Sequence, residues 1–154
     1  MTGLRIVVAA DVAGFDYKEI IKADLEKDDR VKEVFDIGVN ADGLLDSEYP
    51  TVAIAGARLI QDGSADRGIF ICGTGIGVAI AANKVQGIRA TVAHDSYSVE
   101  RSILSNNCQV LTMGQRVVGV ELARRLVKEW LGYEFDSTSA SADKIKLIDE
   151  FEDC

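Results

Sequence analysis

Proline occurs once in the 154 residues, histidine once and cysteine three times. A lone histidine argues against a serine-type triad, which needs an imidazole beside a serine and an acid. Cys72, Cys108 and Cys154 show no CxxC spacing, and with one His94 they make a poor zinc or disulfide set. Three widely spaced thiols fit a reducing compartment. No apolar run approaches the roughly 20 residues that span a bilayer, and no basic stretch precedes an apolar one at the N-terminus. A cytoplasmic, soluble protein is expected. Lys and Arg number 17 against 25 Asp and Glu, so the net charge is −8, with no basic block. Nucleic acid and anionic membrane surfaces are therefore not expected as partners.

What is present is ordinary globular material, 47% hydrophobic and 27% charged, enough for one domain with a sizeable core. Apolar runs alternate with stretches of helical period. Arg5–Ala10, Val31–Ile37, Arg67–Cys72, Arg89–Ala93 and Gln109–Met113 read as strands. Between them, helices are expected over Tyr17–Lys27, from Pro50 to about Gln61, over Gly77–Val85, over Ser96–Leu104 with Ser96 as cap, and over Val118–Trp130. The polar stretch Ala41–Glu48 reads as a loop. A last helix, Ala142–Phe151, follows a polar connector and either packs on its own domain or reaches a partner subunit. This alternation predicts parallel βαβ units: an α/β three-layer open sandwich on a five-stranded sheet, with an extra C-terminal helix.

Residues 69–85, IFICGTGIGVAIAANKV, concentrate the chemistry. A strand ends in Cys72, a glycine-rich turn follows, and a helix opens. That order places reactive groups at the carboxyl edge of an open sheet. Amide dipoles at the helix start favour a thiolate, so the Cys72 sulfur is expected bare at the rim. Thr74 is placed to donate to a bound oxygen, and Gly73, Gly75 and Gly77 let backbone N–H groups face an anion. A thiolate base with hydroxyl and amide donors is sufficient to move a proton beside a carbonyl. The blander reading is a small core cysteine and a glycine turn that merely tightens a connection. GTGIG is not a Walker loop and misses the dinucleotide fingerprint by one position. Asp95, about 20 residues on, stands where a ribose-binding acid would, yet the chain is too short for a cofactor domain plus a substrate domain. Asp11 ends the first strand and reads as a helix cap or as a grip on sugar hydroxyls. His94 is read as a structural residue rather than a catalyst. Lys18, Arg116 and Lys144 are cations near predicted loop edges, each a candidate for phosphate.

Two stretches, ICGTGIGVAIAANKVQGIRA and SNNCQVLTMGQRVVGVELA, with DVAGFDYK and EYP, resemble the ribose-5-phosphate isomerase B / galactose-6-phosphate isomerase subunit family over nearly the whole chain. The resemblance implies a flavodoxin-like sheet and a metal-independent aldose–ketose isomerase that needs no cofactor. It makes Cys72 the base and Thr74 with the Gly73–Gly77 amides the oxygen-stabilising groups. Asp11, Tyr49 and Asn106 match substrate-facing positions. It further implies a homodimer or dimer of dimers whose sites draw on two subunits, the C-terminal helix crossing between them. Three positions depart from the family pattern. Val12 replaces a histidine after Asp11, Ser105 replaces the ring-opening histidine, and SASADK replaces an arginine-rich phosphate motif, leaving Lys144. A tetrose 4-phosphate cannot close a furanose, since its terminal oxygen carries the phosphate, so it needs no ring-opening group. HDSYSVER…SNN is similar to the family's tetrose-phosphate branch. The expected reaction is D-erythrulose 4-phosphate to D-erythrose 4-phosphate. The alternatives are ribose 5-phosphate isomerisation and a non-catalytic phosphometabolite-binding module.

Overall fold

The strands pair where the apolar runs predict. In the computed structural model, which describes residues 3–40 and 48–153, they are β1 (Leu4–Ala10), β2 (Val31–Gly38), β3 (Arg67–Cys72), β4 (Ala90–Val92) and β5 (Val110–Gly114). Most of the stretch expected as a loop, 41–47, and Cys154 lie outside the described residues. All pairings are parallel. The order is β2-β1-β3-β5-β4, so the last two strands are exchanged relative to the flavodoxin order. Burial explains the exchange. Every residue of β5 is buried and it takes the interior, whereas the three half-buried residues of β4 make a short edge.

The helices are α1 (Phe15–Leu25), α2 (Tyr49–Gln61), α3 (Ile76–Ala82), α4 (Ser96–Leu104), α5 (Val120–Trp130) and α6 (Ser141–Glu152). Alternate strand residues feed two cores. Val8, Ile69, Ile71 and Leu111 pack with α1, α4 and α5, around Ile21, Ile103, Leu126 and Trp130. Val7, Phe70 and Cys72 pack on the other face against α2 and α3, around Val52, Ala57 and Val78. Each fully buried large side chain contributes roughly 1.5–3 kcal/mol, so the sheet is held from both sides.

Three local expectations change. A short 3-10 turn, Val12–Gly14, intervenes before α1, capped by Asp11, whose Oδ1 accepts from Gly14 N at 3.1 Å. The cap of α4 is Asp95, which accepts from Ser98 N at 2.7 Å, rather than Ser96. Helix α3 begins at Ile76 because Gly75 adopts φ +78, and a Cβ there would lie 2.7 Å from the Met113 carbonyl carbon. Among the described residues no helix is long and apolar enough to cross a membrane.

Helix α6 is anchored on one side. Ile145 is buried, Asp149 pairs with Arg89 at 2.8 Å, and Glu152 accepts from Gly87 N at 2.7 Å. Its other side leaves Leu147, Ile148 and Phe151 exposed, the last at 82%.

Candidate active site

Neighbouring strands that run to opposite sides of the sheet leave a crevice at their carboxyl ends. Here those strands are β1 and β3, and Ala10 pairs with Ile71. The next residues, Asp11 just past β1 and Cys72 at the last position of β3, therefore lie at the same edge. The 3-10 turn folds over the end of β3, with Gly14 against the Ile71 carbonyl where no Cβ would fit.

Cys72 Sγ accepts from Gly75 N at 3.1 Å. Thr74 Oγ1 accepts from Ile76 N at 3.2 Å, at the start of α3. From the β5 side, Gln115 N donates to Cys72 O at 2.9 Å and Arg116 N to Gly73 O at 3.0 Å. Thr112 Oγ1, buried beneath, donates to Gly75 O at 2.7 Å. The turn is thus fixed by five hydrogen bonds, which suits a group that must aim donors at a developing charge. The expectation of a bare sulfur is corrected: Cys72 is only 5% exposed, because its side chain points into the α2–α3 core with Val52 and Val78.

Tyr49, at the start of α2, is brought to the turn by Gly77: a Cβ at 77 would lie 2.5 Å from Tyr49 Cε2. Arg116 is exposed, and a Cβ on Gly73 would lie 3.3 Å from its Nη1. This puts a cation beside the glycine turn. His94 Nε2 accepts from Gly114 N at 2.9 Å, and burial lowers the imidazole pKa below its ordinary value of 6.5, with Asp95 opposing. Val12 lies 69% exposed beside Asp11.

Three candidates stand elsewhere. Lys18 is corrected: it is fully buried, 2.5 Å from both Asp36 Oδ1 and Val39 O, and is not a rim cation. Asn106 lies at the opposite edge, where strands begin. Its carbonyl accepts from Arg89 Nε at 3.1 Å, just before β4, and its Nδ2 donates to Arg101 O at 3.3 Å. Five residues of β5, about 16 Å at 3.3 Å each, separate that edge from Cys72. Lys144 is exposed on α6, whose far half is tied through Arg89 and Gly87 to the same strand-start edge. One chain therefore gathers Asp11, Tyr49, Cys72, Thr74 and Arg116, and holds Asn106 and α6 apart from them.

Sequence reasoning missed Thr112, Gln115 and Gly114. Thr112 had a signal, a hydroxyl inside a fully apolar strand. Gln115 also receives Tyr17 N at 3.1 Å through Oε1, stitching α1 to the turn, and nothing in the sequence marks that.

Known proteins resemble the chain over nearly its whole length. A family profile described as Ribose/Galactose Isomerase matches residues 6–148. A D-erythrulose-4-phosphate isomerase 2 of Mycolicibacterium smegmatis is 62% identical over 150 residues, 97% of each chain. A D-erythrulose-4-phosphate isomerase of Pectobacterium atrosepticum is 43% identical over 149 residues, covering 97% of this chain and 95% of its own. The solved ribose-5-phosphate isomerase B of Clostridium thermocellum superposes with a TM-score of 0.89 at 39% identity, covering 97% of this chain and 98% of that one. With the Cys72–Gly75 turn at the β1–β3 crevice and a matched profile spanning most of its length, the chain belongs to the ribose/galactose isomerase family.

Proposed function

We propose that the protein is a metal-independent aldose–ketose isomerase of a short sugar phosphate, converting D-erythrulose 4-phosphate to D-erythrose 4-phosphate. One observation carries the reading: Cys72 Sγ accepts from Gly75 N at the end of β3, one residue past the Ala10–Ile71 pair that Asp11 also follows. In the proposed reaction the thiolate removes a proton from C1 of the ketose. The C1–H electrons form the C1=C2 bond, and the former carbonyl oxygen carries the enediolate charge. Thr74 and the amides of the Gly73–Gly77 turn stabilise that charge. The proton returns from sulfur to C2, and the hydroxyl proton passes from O1 to O2, which leaves the aldehyde at C1. Arg116 takes the phosphate, with Lys144 as a second cation. Lys18, being buried and paired, takes none of it.

The four-carbon choice is supported by Ser105 at the position of the ring-opening histidine, and by the two erythrulose-phosphate relatives. The separation of the two edges supports a homodimer, or dimer of dimers, in which a second copy supplies Asn106 and α6 to the Cys72 edge. The exposed Leu147, Ile148 and Phe151 on α6, and Ile76 and Ile80 on α3, are apolar surface for such a contact. The free thiols Cys72 and Cys108 fit the cytoplasm.

The test is a panel of four-, five- and six-carbon sugar phosphates in deuterated water, followed by NMR. Turnover of the tetrulose phosphate with label entering the adjacent carbon is expected. Efficient turnover of ribose 5-phosphate with none of the tetrulose phosphate replaces the four-carbon reading. Binding of sugar phosphate without label exchange makes the protein a binding module.

A further inference from the structure

The backbone ladder between β4 and β5 ends one step short of the site. Val110 N donates to Arg89 O, and Ala93 N donates to Thr112 O at 3.2 Å. Continuing that register, Gly114 N would turn next to the carbonyl of Ala93. The bond goes instead to a side chain: His94 Nε2, at 2.9 Å. Gly114 is the residue that pairs with Cys72 across the sheet. It also lies directly beneath the glycine turn. A Cβ on Gly114 would stand 2.5 Å from Thr74 Cα and 2.7 Å from Gly73 O. The height of Gly114 therefore sets the height of Gly73 and Thr74, with no side chain between them to absorb a shift.

We infer that His94 is a positioning residue for the proposed isomerisation: by accepting the Gly114 N–H it fixes the floor on which the Cys72–Gly75 turn rests. The inference rests on the isomerase reading of that turn. An accepting Nε2 carries no proton, so the neutral ring holds its proton on Nδ1. Depression of the imidazole pKa by burial keeps the ring in that form. Catalytic donors must be held to within about half an ångström, and a loose Gly114 would let the turn amides drift from where the enediolate oxygen forms. His94 touches no reacting atom in this scheme. It acts through Gly114.

The test uses the full-length protein and the tetrulose phosphate, with wild type beside His94→Leu and His94→Gln. Leucine fills the space without an acceptor, and glutamine offers an amide oxygen near the place of Nε2. His94→Leu is expected to lower kcat about tenfold or more while KM moves less than about threefold, the pattern of an interaction felt in the transition state. His94→Gln is expected to recover kcat to within about threefold of wild type. The imidazole 15N spectrum, unambiguous with one histidine in the chain, should show the proton on Nδ1. A His94→Leu protein with wild-type kcat, a His94→Gln as slow as a crippled His94→Leu, or a proton on Nε2 overturns the inference. Should His94→Leu fail to fold, His94→Gln and the spectrum decide alone. A wild type that turns over no sugar phosphate overturns the isomerase reading and this role with it. The wild-type assay tells that result apart from the others.

Discussion

Tyr49 lays its ring against the Cα of Gly77, so closely that a Cβ at 77 would fall 2.5 Å from Cε2 and 2.9 Å from Cζ. The first turn of α2 and the first turn of α3 are thereby keyed together, two residues past Gly75. Gly77→Ala separates two effects. Alanine gains about 0.5–1 kcal/mol of helix propensity, while the ring must swing outward. The expected outcome is a melting temperature near wild type with kcat/KM down about tenfold. Calorimetry and steady-state kinetics on the same preparation check it.

Cys72→Ala is expected to abolish isomerisation and leave the fold in place. Trimming one buried sulfur costs about 1 kcal/mol. Activity within about tenfold of wild type, a barrier change of about 1.4 kcal/mol, would exclude the thiol as base. Solvent-deuterium exchange into the substrate is the sensitive readout.

Lys18 and Arg116 should part company. Lys18→Met strips Val39 O and one oxygen of Asp36 of a buried ammonium, leaving Lys22 at 2.7 Å from the other. A loss of about 2–3 kcal/mol in urea unfolding is expected, with KM for the phosphate ester unchanged. Arg116→Met exchanges an exposed side chain beside Gly73. It should unfold like wild type and raise KM about tenfold or more.

The pH dependence of stability has a single-residue signature. His94 titrates near 6.5 when unfolded and below that when folded, because burial penalises its charged form. Between the two values the unfolded chain holds more protons, so stability falls as pH drops through 6.5 and levels off below the folded value. Urea midpoints at pH 7.5, 6.5 and 5.5 should show this slope, and His94→Gln should flatten it. A separate loss belongs to Asp28, held at about 2 by Arg30 against an ordinary 3.8. Its contribution is complete above 3.8 and disappears as pH falls from there toward about 2.

Ile148→Glu together with Phe151→Ser places charge and polarity on the exposed side of α6. Light scattering should report a smaller assembly, and kcat should fall with it, although both positions lie far along the chain from Cys72. A dimer of unchanged size and activity removes α6 from the proposed contact.

The end of β3 was legible because IFIC is an unbroken apolar run followed by GTGIG, three glycines in five residues. The layer arrangement followed from strict strand–helix alternation. The edge order did not, because nothing in ATV as opposed to VLTMG states which strand lies outside until both faces are filled. Lys18 was misplaced by reading charge as surface. Its spacing with Ile21 and Leu25, all three buried, marks the inner stripe of α1. The cap of α4 was missed by one residue, since Asp95 and Ser96 are both good caps and only the hydrogen bond to Ser98 N chooses between them. Asn106 could be assigned to the far edge from connectivity alone. A helix that returns between parallel strands must end where the next strand begins.

That far placement of Asn106 has a genetic consequence. In the proposed dimer each catalytic centre takes Cys72 from one chain and Asn106 from the other. A chain dead through Cys72→Ala and a chain dead through Asn106→Ala therefore carry reciprocal lesions. Joined as a hybrid, they concentrate both defects in one centre and leave the other whole. Two inactive preparations, unfolded together and refolded as an equal mixture, should regain about a quarter of native activity.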